Sequence, residues 1–269
     1  MSDRFKTQRE QRHLGSLTAL EVEAMVSADS VLCLPIGAHE QHGPHLPINT
    51  DTILAEGFAL EVIERWGSQY DIWLLPTIPY GPSPEHLWSA GTVSLSIGSF
   101  SEIVLSTCES VAAAVSAKNL MVINGHGGNR GILEALGYEV QKRAGLNMCV
   151  THPTSLSKVR CDSALPEIHG GMSETSVMLA LTESSVHMDR LPESDVARAP
   201  NPESIRKLIL DRGTTWPWTS DDPSIAYHGI IGDASKANLD LGLRIVESAI
   251  EEYGKVLSCL VERRGASSA

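Results

Sequence analysis

Residues 34–51 read LPIGAHEQHGPHLPINTD, and this stretch decides how the rest of the chain is interpreted. Proline and glycine interrupt it five times, so it cannot form one regular helix. It overlaps the apolar run Val31 to Ile36, which is typical of a short buried strand. The polar side chains therefore sit on a loop that leaves a strand end, where α/β proteins usually bind ligands.

Three side chains in this loop have the chemistry of metal ligands. Glu40 and His42 lie two residues apart, and Asp51 follows nine residues later. Carboxylate oxygen and imidazole nitrogen suit zinc, manganese and iron. Because a carboxylate has two oxygens, Asp51 could bridge two ions. The alternative is a polar surface loop in which Asp51 caps the helix that follows.

Two further stretches carry residues of the same kind. Residues 119–129 read NLMVINGHGGN, an apolar strand that ends in a glycine-rich turn with His126. Residues 169–176 read HGGMSETS and place His169 and Glu174 at a predicted helix start. Metal-type ligands therefore follow two predicted strand ends, and a third segment adds an imidazole and a carboxylate.

These motifs, together with GIIGDASKANLDLG at 229–242, resemble those of the creatininase family, which comprises creatinine amidohydrolase and its relatives. The resemblance extends from about Leu14 to Val261. It implies a three-layer α/β sandwich, a site for two divalent metal ions and, often, a hexamer.

The resemblance also implies which residues hold the ions. Glu40, His42, Asp51 and His126 match the family's dinuclear site directly. Creatininase has a carboxylate two residues after the histidine of its NGH turn, whereas this chain has Gly128 there. The fifth ligand is therefore assigned to Glu174. The alternative is that Glu174 only supports the start of its helix through the helix dipole.

Other residues are candidates for catalysis and substrate binding. His169 and Glu174 are the predicted catalytic residues, with His169 as a proton donor to the leaving nitrogen. A structural histidine bonded to the backbone is the alternative for His169. The predicted substrate-binding residues are Gly127, Gly128, Glu85, His86 and Trp216. Glycine allows the backbone to approach a ligand closely, whereas Trp216 and the nearby Trp218 could equally form a lid or a subunit interface.

The composition argues against several other classes of protein. The 269 residues are 42% hydrophobic, as in a soluble globular enzyme, and the formal net charge of -12 argues against a nucleic-acid partner. Five cysteines without a C-x-x-C pair, and an N-terminus without a secretory apolar region, indicate reduced thiols in the cytoplasm. The chain has no apolar run long enough to cross a membrane. The loop after the first strand also lacks the G-x-G-x-x-G pattern of dinucleotide-binding enzymes.

The order of the predicted elements indicates an α/β fold. Strands at 31–36, 72–78, 120–123 and 147–151 alternate with helices at 52–66, 100–117 and 129–144. Apolar strands in this order predict a mainly parallel central sheet with helices on both faces. An edge strand at 92–96 and helices at 18–27, 174–182 and 234–262 complete the pattern. We expect a flexible leader at 1–13 and a single domain at 14–269.

Together these features predict a metal-dependent hydrolase that cleaves a non-peptide carbon–nitrogen bond in a small molecule, such as a cyclic amide, a lactam or a formamide. Two divalent ions (zinc, manganese or iron) would activate the water that attacks the carbonyl. Two alternatives stay open: a dinuclear-metal hydrolase of a cyclic ketone or lactone, and a metal-binding assembly partner without catalysis. Activity that follows metal reloading would separate an enzyme from a scaffold.

Overall fold

Four parallel strands form the central sheet of the protein, which is described by a computed structural model over residues 11–193, 199–211 and 213–267. The strands are β1 (Val31–Ile36), β2 (Ile72–Leu74), β3 (Asn119–Asn124) and β4 (Asn147–Thr151), in the order β2-β1-β3-β4. β1 pairs with β3 along its whole length, from Val31 opposite Asn119 to Ile36 opposite Asn124. The carboxyl ends of β1 and β3 therefore lie side by side.

Helices cover both faces of this sheet. In chain order, the helices of the described residues are α1 (Ala19–Met25), α2 (Thr50–Tyr70), α3 (Ile97–Ala114), α4 (Arg130–Ala144), α5 (Pro153–Leu156), α6 (Met172–Thr182), α7 (Pro202–Ile205) and α8 (Leu239–Ser267). One core packs α2, α6 and α8 against the sheet, and the other packs α3 and α4 against the opposite face. This arrangement confirms the predicted three-layer α/β class.

The alternation of side chains along β1 explains why the strand reads as a continuous apolar run. Val31 and Cys33 lie in the core beneath α2 and α8, whereas Leu32 and Leu34 lie in the core beneath α3 and α4. Successive side chains of a strand point to opposite faces, and both faces of this sheet are covered. All six residues of β1 are buried.

Some predicted boundaries differ from the structure. β2 ends at Leu74, and Ile78 forms only an isolated bridge with Ile36. The predicted edge strand at 92–96 is wrong, since only Val93 forms a bridge, to His39. The polar side chains of this segment bond to neighbouring loops instead: the hydroxyl of Thr92 accepts a hydrogen bond from the Gln41 N–H.

The predicted leader at 1–13 falls mostly outside the described residues, which begin at 11. Within the described part, the Leu74 N–H donates to the carbonyl of Arg12, and the Arg12 guanidinium lies 2.6 Å from the Asp71 carboxylate. Arg12 and His13 thus contact the β2 region, one to two residues before the predicted domain start at Leu14. The assignment of 14–269 to a single domain stays a prediction.

Two further findings concern the whole described part of the chain. None of its helices combines the length and apolar character that a membrane span requires. All five cysteines carry free thiols.

Candidate metal-dependent active site

The candidate ligands come together where β1 and β3 end. Glu40 and His42 lie on the loop after β1, and His126 follows β3 by two residues. Asp51 lies in the first turn of α2, which the same loop leads into. The loop is held in shape by backbone bonds such as that from the Glu40 N–H to the carbonyl of Ile48, at 2.8 Å.

These four side chains are buried and in mutual contact. Asp51 places one oxygen 3.2 Å from His42 Nε2 and its other oxygen 3.2 Å from His126 Nδ1. His126 Nδ1 is also 3.2 Å from Glu40 Oε1. Asp51 therefore faces two different imidazoles with its two oxygens, which is the arrangement of a bridging carboxylate. The alternative in which Asp51 caps α2 is not seen, since its side chain points to these rings.

The donor set fits a metal ion. Both carboxylate oxygens of Glu40, and Oδ2 of Asp51, are buried without a hydrogen bond. Burying a carboxylate is costly unless it is paired or coordinates a cation. Ligand atoms held at about 2.0–2.1 Å around a tetrahedral ion lie about 3.3 Å from one another. The observed separations of 3.2 Å match that spacing, and oxygen with imidazole nitrogen suits zinc, manganese or iron.

Glu174 has features of both roles considered for it. Its Oε2 lies 3.6 Å from His42 Nε2, so it extends the cluster on the side of His42. The same oxygen accepts a hydrogen bond of 2.6 Å from the Gly170 N–H, just before α6. Glu174 lies in the first turn of that helix. It can therefore support the helix start and still offer an oxygen to an ion.

His86 and His169 form a second layer of imidazoles against Glu40. His86 Nε2 is 3.5 Å and His169 Nδ1 is 3.6 Å from Glu40 Oε1. The two rings are stacked with their centroids 4.1 Å apart. His169 Nε2 lies 2.6 Å from the carbonyl oxygen of Gln41. The predicted catalytic histidine is thus bonded to the backbone and also faces the candidate metal ligands.

The charges of the cluster shift several pKa values. Burial opposes the charged form of His42, yet Asp51 and Glu174 raise its pKa well above the ordinary value. Burial likewise opposes charging of His126, whose pKa is raised well above normal by Glu40 and Asp51. Burial raises the pKa of Glu40. Although burial acts in the opposite direction on Asp51, His42 and His126 hold its pKa far below the usual range.

The outer histidines shift in the other direction. Burial, with the nearby charge of His42, lowers the pKa of His169 to about 3. Burial and His169 lower the pKa of His86 far below its usual value. Both rings are therefore neutral at pH 7, and each has one proton to place on one of its two nitrogens.

Steric conflict explains why position 128 is a glycine. A Cβ at Gly128 would lie 2.4 Å from His126 Nε2, so any side chain would force the candidate ligand to move. At Gly127 a Cβ would meet nothing within 4 Å. Position 128 therefore cannot carry a side chain here unless His126 moves.

The remaining predicted substrate-binding residues differ in their distance from the cluster. Glu85 Oε1 lies 4.0 Å from His126 Nε2, so Glu85 borders the site. Trp216 is 46% exposed. Trp218 instead meets the ring of His86 edge-on, with centroids 6.1 Å apart. Of the two tryptophans, Trp218 is the one that packs beside the candidate site.

A cavity of about 580 Å³ adjoins the cluster. Its lining includes Trp88, Ser220, Asp221, Tyr227 and Gly229. Ser220 connects it with the site, because its hydroxyl lies 2.7 Å from His86 Nδ1. A volume of this size is typical of small-ligand sites.

Sequence reasoning missed Gln41 and Ser220. Gln41 is buried, and its side-chain nitrogen contacts His86, His169, Ser220 and the carbonyl of Gly229. Its position between Glu40 and His42 is a signal in the sequence, because it places a polar side chain on the same loop as two candidate ligands. Ser220 lies in a loop 134 residues from His86 in sequence, and no local pattern marks it.

The fold and the site together define a parallel α/β protein with a buried carboxylate–histidine centre at the carboxyl ends of its strands. A family model described as creatininase (creatinine amidohydrolase) matches residues 15–257. The chain belongs to the creatininase family, and the predicted class of family hydrolase is confirmed.

Three known proteins illustrate the similarity. The mycofactocin precursor peptide peptidase of Mycobacterium tuberculosis (strain ATCC 25618 / H37Rv) is 31% identical over 245 residues, covering 89% of this chain and 88% of the relative. The creatinine amidohydrolase of Pseudomonas putida is 31% identical over 208 residues, covering 70% and 78%. A solved structure described as "Creatininase Mn" superposes with a TM-score of 0.72 at 27% identity, covering 96% of this chain and 99% of that one.

Proposed function

We propose that this chain is a metal-dependent amidohydrolase that uses water to cleave a non-peptide carbon–nitrogen bond, such as that of a cyclic amide, a lactam or a formamide. The observation that carries the proposal is the buried Glu40 carboxylate, which has no hydrogen bond and faces four histidine nitrogens at 3.2–4.0 Å. Similarity to a creatinine amidohydrolase supports the amide substrate.

Two divalent ions are proposed, each held by a different part of the cluster. Glu40, Asp51 and His126 would hold one ion, and His42, Asp51 and Glu174 the other. The pairwise contacts of 3.2–3.6 Å within each set support this division. Zinc, manganese and iron all suit these ligands, and the relative described as "Creatininase Mn" supports manganese as one candidate.

When bound, such ions polarise a carbonyl and make hydroxide available at neutral pH. The chain's own residues would then place and move the protons. His169 is neutral and held by its Nε2–H on the Gln41 carbonyl, so its Nδ1 can accept the proton of the attacking water. The same nitrogen can return that proton to the leaving nitrogen as the C–N bond breaks. Oxygen is thereby added to the carbon and hydrogen to the nitrogen.

The substrate would lie between the cluster and the adjoining cavity. His86 and Glu85 border the cluster, and Ser220 links His86 with the cavity wall. Gly127 and Gly128 would allow the chain to pass close to the reacting group. Trp216 is proposed as a contact at the exposed rim. The approximately 580 Å³ cavity is larger than one small ring needs, which leaves room for a substituent beyond the amide.

A second candidate is hydrolysis of a peptide bond. The observation that favours it is the 31% identity with the mycofactocin precursor peptide peptidase, which extends over nearly the whole of both chains. The cavity beside the cluster would accept a residue-sized side chain. Hydrolysis of a cyclic ketone or lactone is the remaining alternative.

We also propose a homo-oligomer, with the family's hexamer as the model, located in the cytoplasm. Exposed apolar side chains on neighbouring helices support an assembly surface, namely Ile97 and Ile103 on α3 and Tyr138 on α4. The five free thiols suit a reducing compartment.

The experiment is to measure metal content per chain by mass spectrometry, on protein purified without chelators or a histidine tag. We expect about two transition-metal ions in the wild type and at most one in Asp51→Ala, because Asp51 would offer an oxygen to each site. Asp162→Ala, at an exposed carboxylate, is the matched control and should retain the wild-type content.

Activity is then tested on the metal-loaded protein with creatinine, N-formyl amines, lactones and short peptides. Hydrolysis of an amide by the wild type, lost on chelation and restored by reloading, would support the proposal. No bound metal in any variant after reloading with zinc or manganese would refute it. Bound metal with activity only on peptides would establish the second candidate, and activity only on lactones would favour the ester-type alternative.

A further inference from the structure

Gln41, Ser220 and Trp88 form a hydrogen-bond network behind His86, on the side away from the candidate ligands. Ser220 lies at the centre of the network. Its hydroxyl is 2.9 Å from Trp88 Nε1, 3.1 Å from Gln41 Nε2 and 2.7 Å from His86 Nδ1. Gln41, Ser220 and His86 are almost fully buried. The donors and acceptors in such a network can be counted, and the count decides where the ring proton of His86 lies.

The orientation of the Gln41 amide is fixed first. Its Oε1 accepts a 2.8 Å hydrogen bond from the Gly43 N–H, which can only donate. The nitrogen of the amide therefore faces the network and must place two hydrogens. One is taken by the carbonyl of Gly229, at 3.0 Å.

His169 cannot take the second hydrogen. Its Nε2 lies 2.6 Å from the carbonyl of Gln41, which can only accept, so this nitrogen carries the proton of the ring. Gln41 Nε2 at 3.2 Å then meets an N–H and not a lone pair. The second amide hydrogen is left with Ser220 Oγ or His86 Nδ1, both at 3.1 Å.

The hydroxyl of Ser220 now decides the tautomer of His86. A hydroxyl donates once and accepts twice, and an indole N–H only donates. If His86 Nδ1 carried a proton, Ser220 would donate to the carbonyl of Glu85, at 3.4 Å, and accept from Trp88 and from His86. The second Gln41 hydrogen would then have no acceptor among these contacts. If His86 Nδ1 is bare, Ser220 donates to it and accepts from Trp88 and Gln41, and every donor has a partner.

We propose that Gln41, Ser220 and Trp88 are positioning residues that hold His86 in the tautomer with its proton on Nε2, so that His86 presents an N–H to the active site and does not bind metal. That nitrogen lies 3.5 Å from Glu40 Oε1. The stacked His169 presents a bare Nδ1 to the same oxygen. One ring of the pair thus offers a donor for a substrate oxygen, and the other offers a lone pair. This inference rests on the proposed function for its catalytic meaning.

The test is ¹⁵N NMR of the full-length, zinc-loaded protein with ¹⁵N-labelled histidine, in which bare, protonated and metal-bound ring nitrogens are distinguished. The His86 signals are assigned by their loss in His86→Gln. We expect a directly bonded proton on His86 Nε2 and a bare Nδ1. A proton on Nδ1, or zinc on Nε2, would overturn the inference.

Two variants test the network itself. The hydrogen-bond count predicts that the more remote substitution has the larger effect on the His86 tautomer, which packing alone would not predict. In Ser220→Ala, the second Gln41 hydrogen can move to His86 Nδ1, so the Nε2–H form should persist. In Trp88→Phe, Ser220 is freed to accept from His86, so a mixture of tautomers should appear although Trp88 is more remote. Loss of the Nε2–H form in Ser220→Ala, with its retention in Trp88→Phe, would overturn the assignment.

Metal content measured on the same samples keeps the two proposals apart. If zinc binds and His86 carries its proton on Nδ1, only the inference about His86 is refuted. If zinc does not bind and His86 carries its proton on Nε2, the proposed function is refuted and the assigned tautomer stands.

Discussion

The affinity of the cluster for metal should rise steeply with pH. In the metal-free protein the pKa values of His42 and His126 are both raised, by carboxylates that lie 3.2 Å away. Both rings therefore carry a proton at neutral pH that an ion must displace, since only neutral imidazole binds metal. Each displaced proton makes binding about tenfold tighter per pH unit, which is about 1.4 kcal/mol.

Two ions that each displace one histidine proton give a combined slope of about two decades per pH unit, or about 2.7 kcal/mol. The slope should hold up to the raised pKa values of the two rings and flatten above them. It should steepen at low pH, where Glu40, whose pKa burial raises, begins to bind a proton. Ordinary histidines would already flatten the curve near pH 6.5.

The assay is a zinc titration against a chromophoric chelator at several pH values between 6 and 8, with proton release measured by calorimetry in two buffers. His45→Gln is the control: this buried ring has its pKa lowered to about 4 and is neutral throughout, so the slope should not change. A slope near zero over this range, or zinc binding without proton release, would mean that His42 and His126 are already neutral and would refute the reasoning.

Four further perturbations follow from the structure. The metal-free protein should lose stability between pH 7 and pH 9, because the raised folded-state pKa values of His42 and His126 stabilise it only while these rings are protonated, whereas histidines with lowered pKa values are already neutral there; thermal unfolding with a chelator present, at pH 7 and pH 9, measures this, and equal midpoints would contradict it. Gly128→Ala should weaken zinc binding about 10–100-fold by displacing His126, whereas Gly127→Ala should not; chelator competition compares them. Phe58→Ala should cost about 3–5 kcal/mol in urea denaturation, and the exposed Leu20→Ala less than about 0.5. Thr18→Ala, which removes the capping box of α1, should cost about 1 kcal/mol in the same assay.

Much of the sheet could be predicted from the sequence because its strands are buried on both faces. β1 and β4 have the predicted bounds, and β3 is one residue longer at each end. The failures occur where polar side chains decide the structure. α8 begins at Leu239 and not at Ala234, because the side chain of Asn238 accepts from the Leu241 N–H and starts a new helix there. Such a cap outweighs the apolar periodicity that predicts a start at Ala234.

The ligand cluster could also be foreseen, for a reason that lies in the topology. β1 and β3 are neighbours in a parallel sheet, so the loops that follow them must meet at one edge. Glu40 and His126 therefore approach each other although 86 residues separate them. Their placement required only the order of the strands, which apolar runs and helix alternation reveal.

The positions of the loop residues that contact His86 do not follow from the order of the strands. Ser220 and Trp218 come from an irregular loop, and their contacts with His86 depend on how that loop folds over the sheet edge. Trp216 and Trp218 are two residues apart and carry the same side chain. Trp216 is exposed and Trp218 packs against His86, and this difference depends only on the path of the loop. The candidate metal ligands are positioned by the ends of the strands, whereas the residues that contact His86 come from a loop. Substitutions in the loop at 216–229 should therefore alter the substrate preference of this protein more than its affinity for metal, because that loop contributes to the cavity wall and contacts Gln41 and His86.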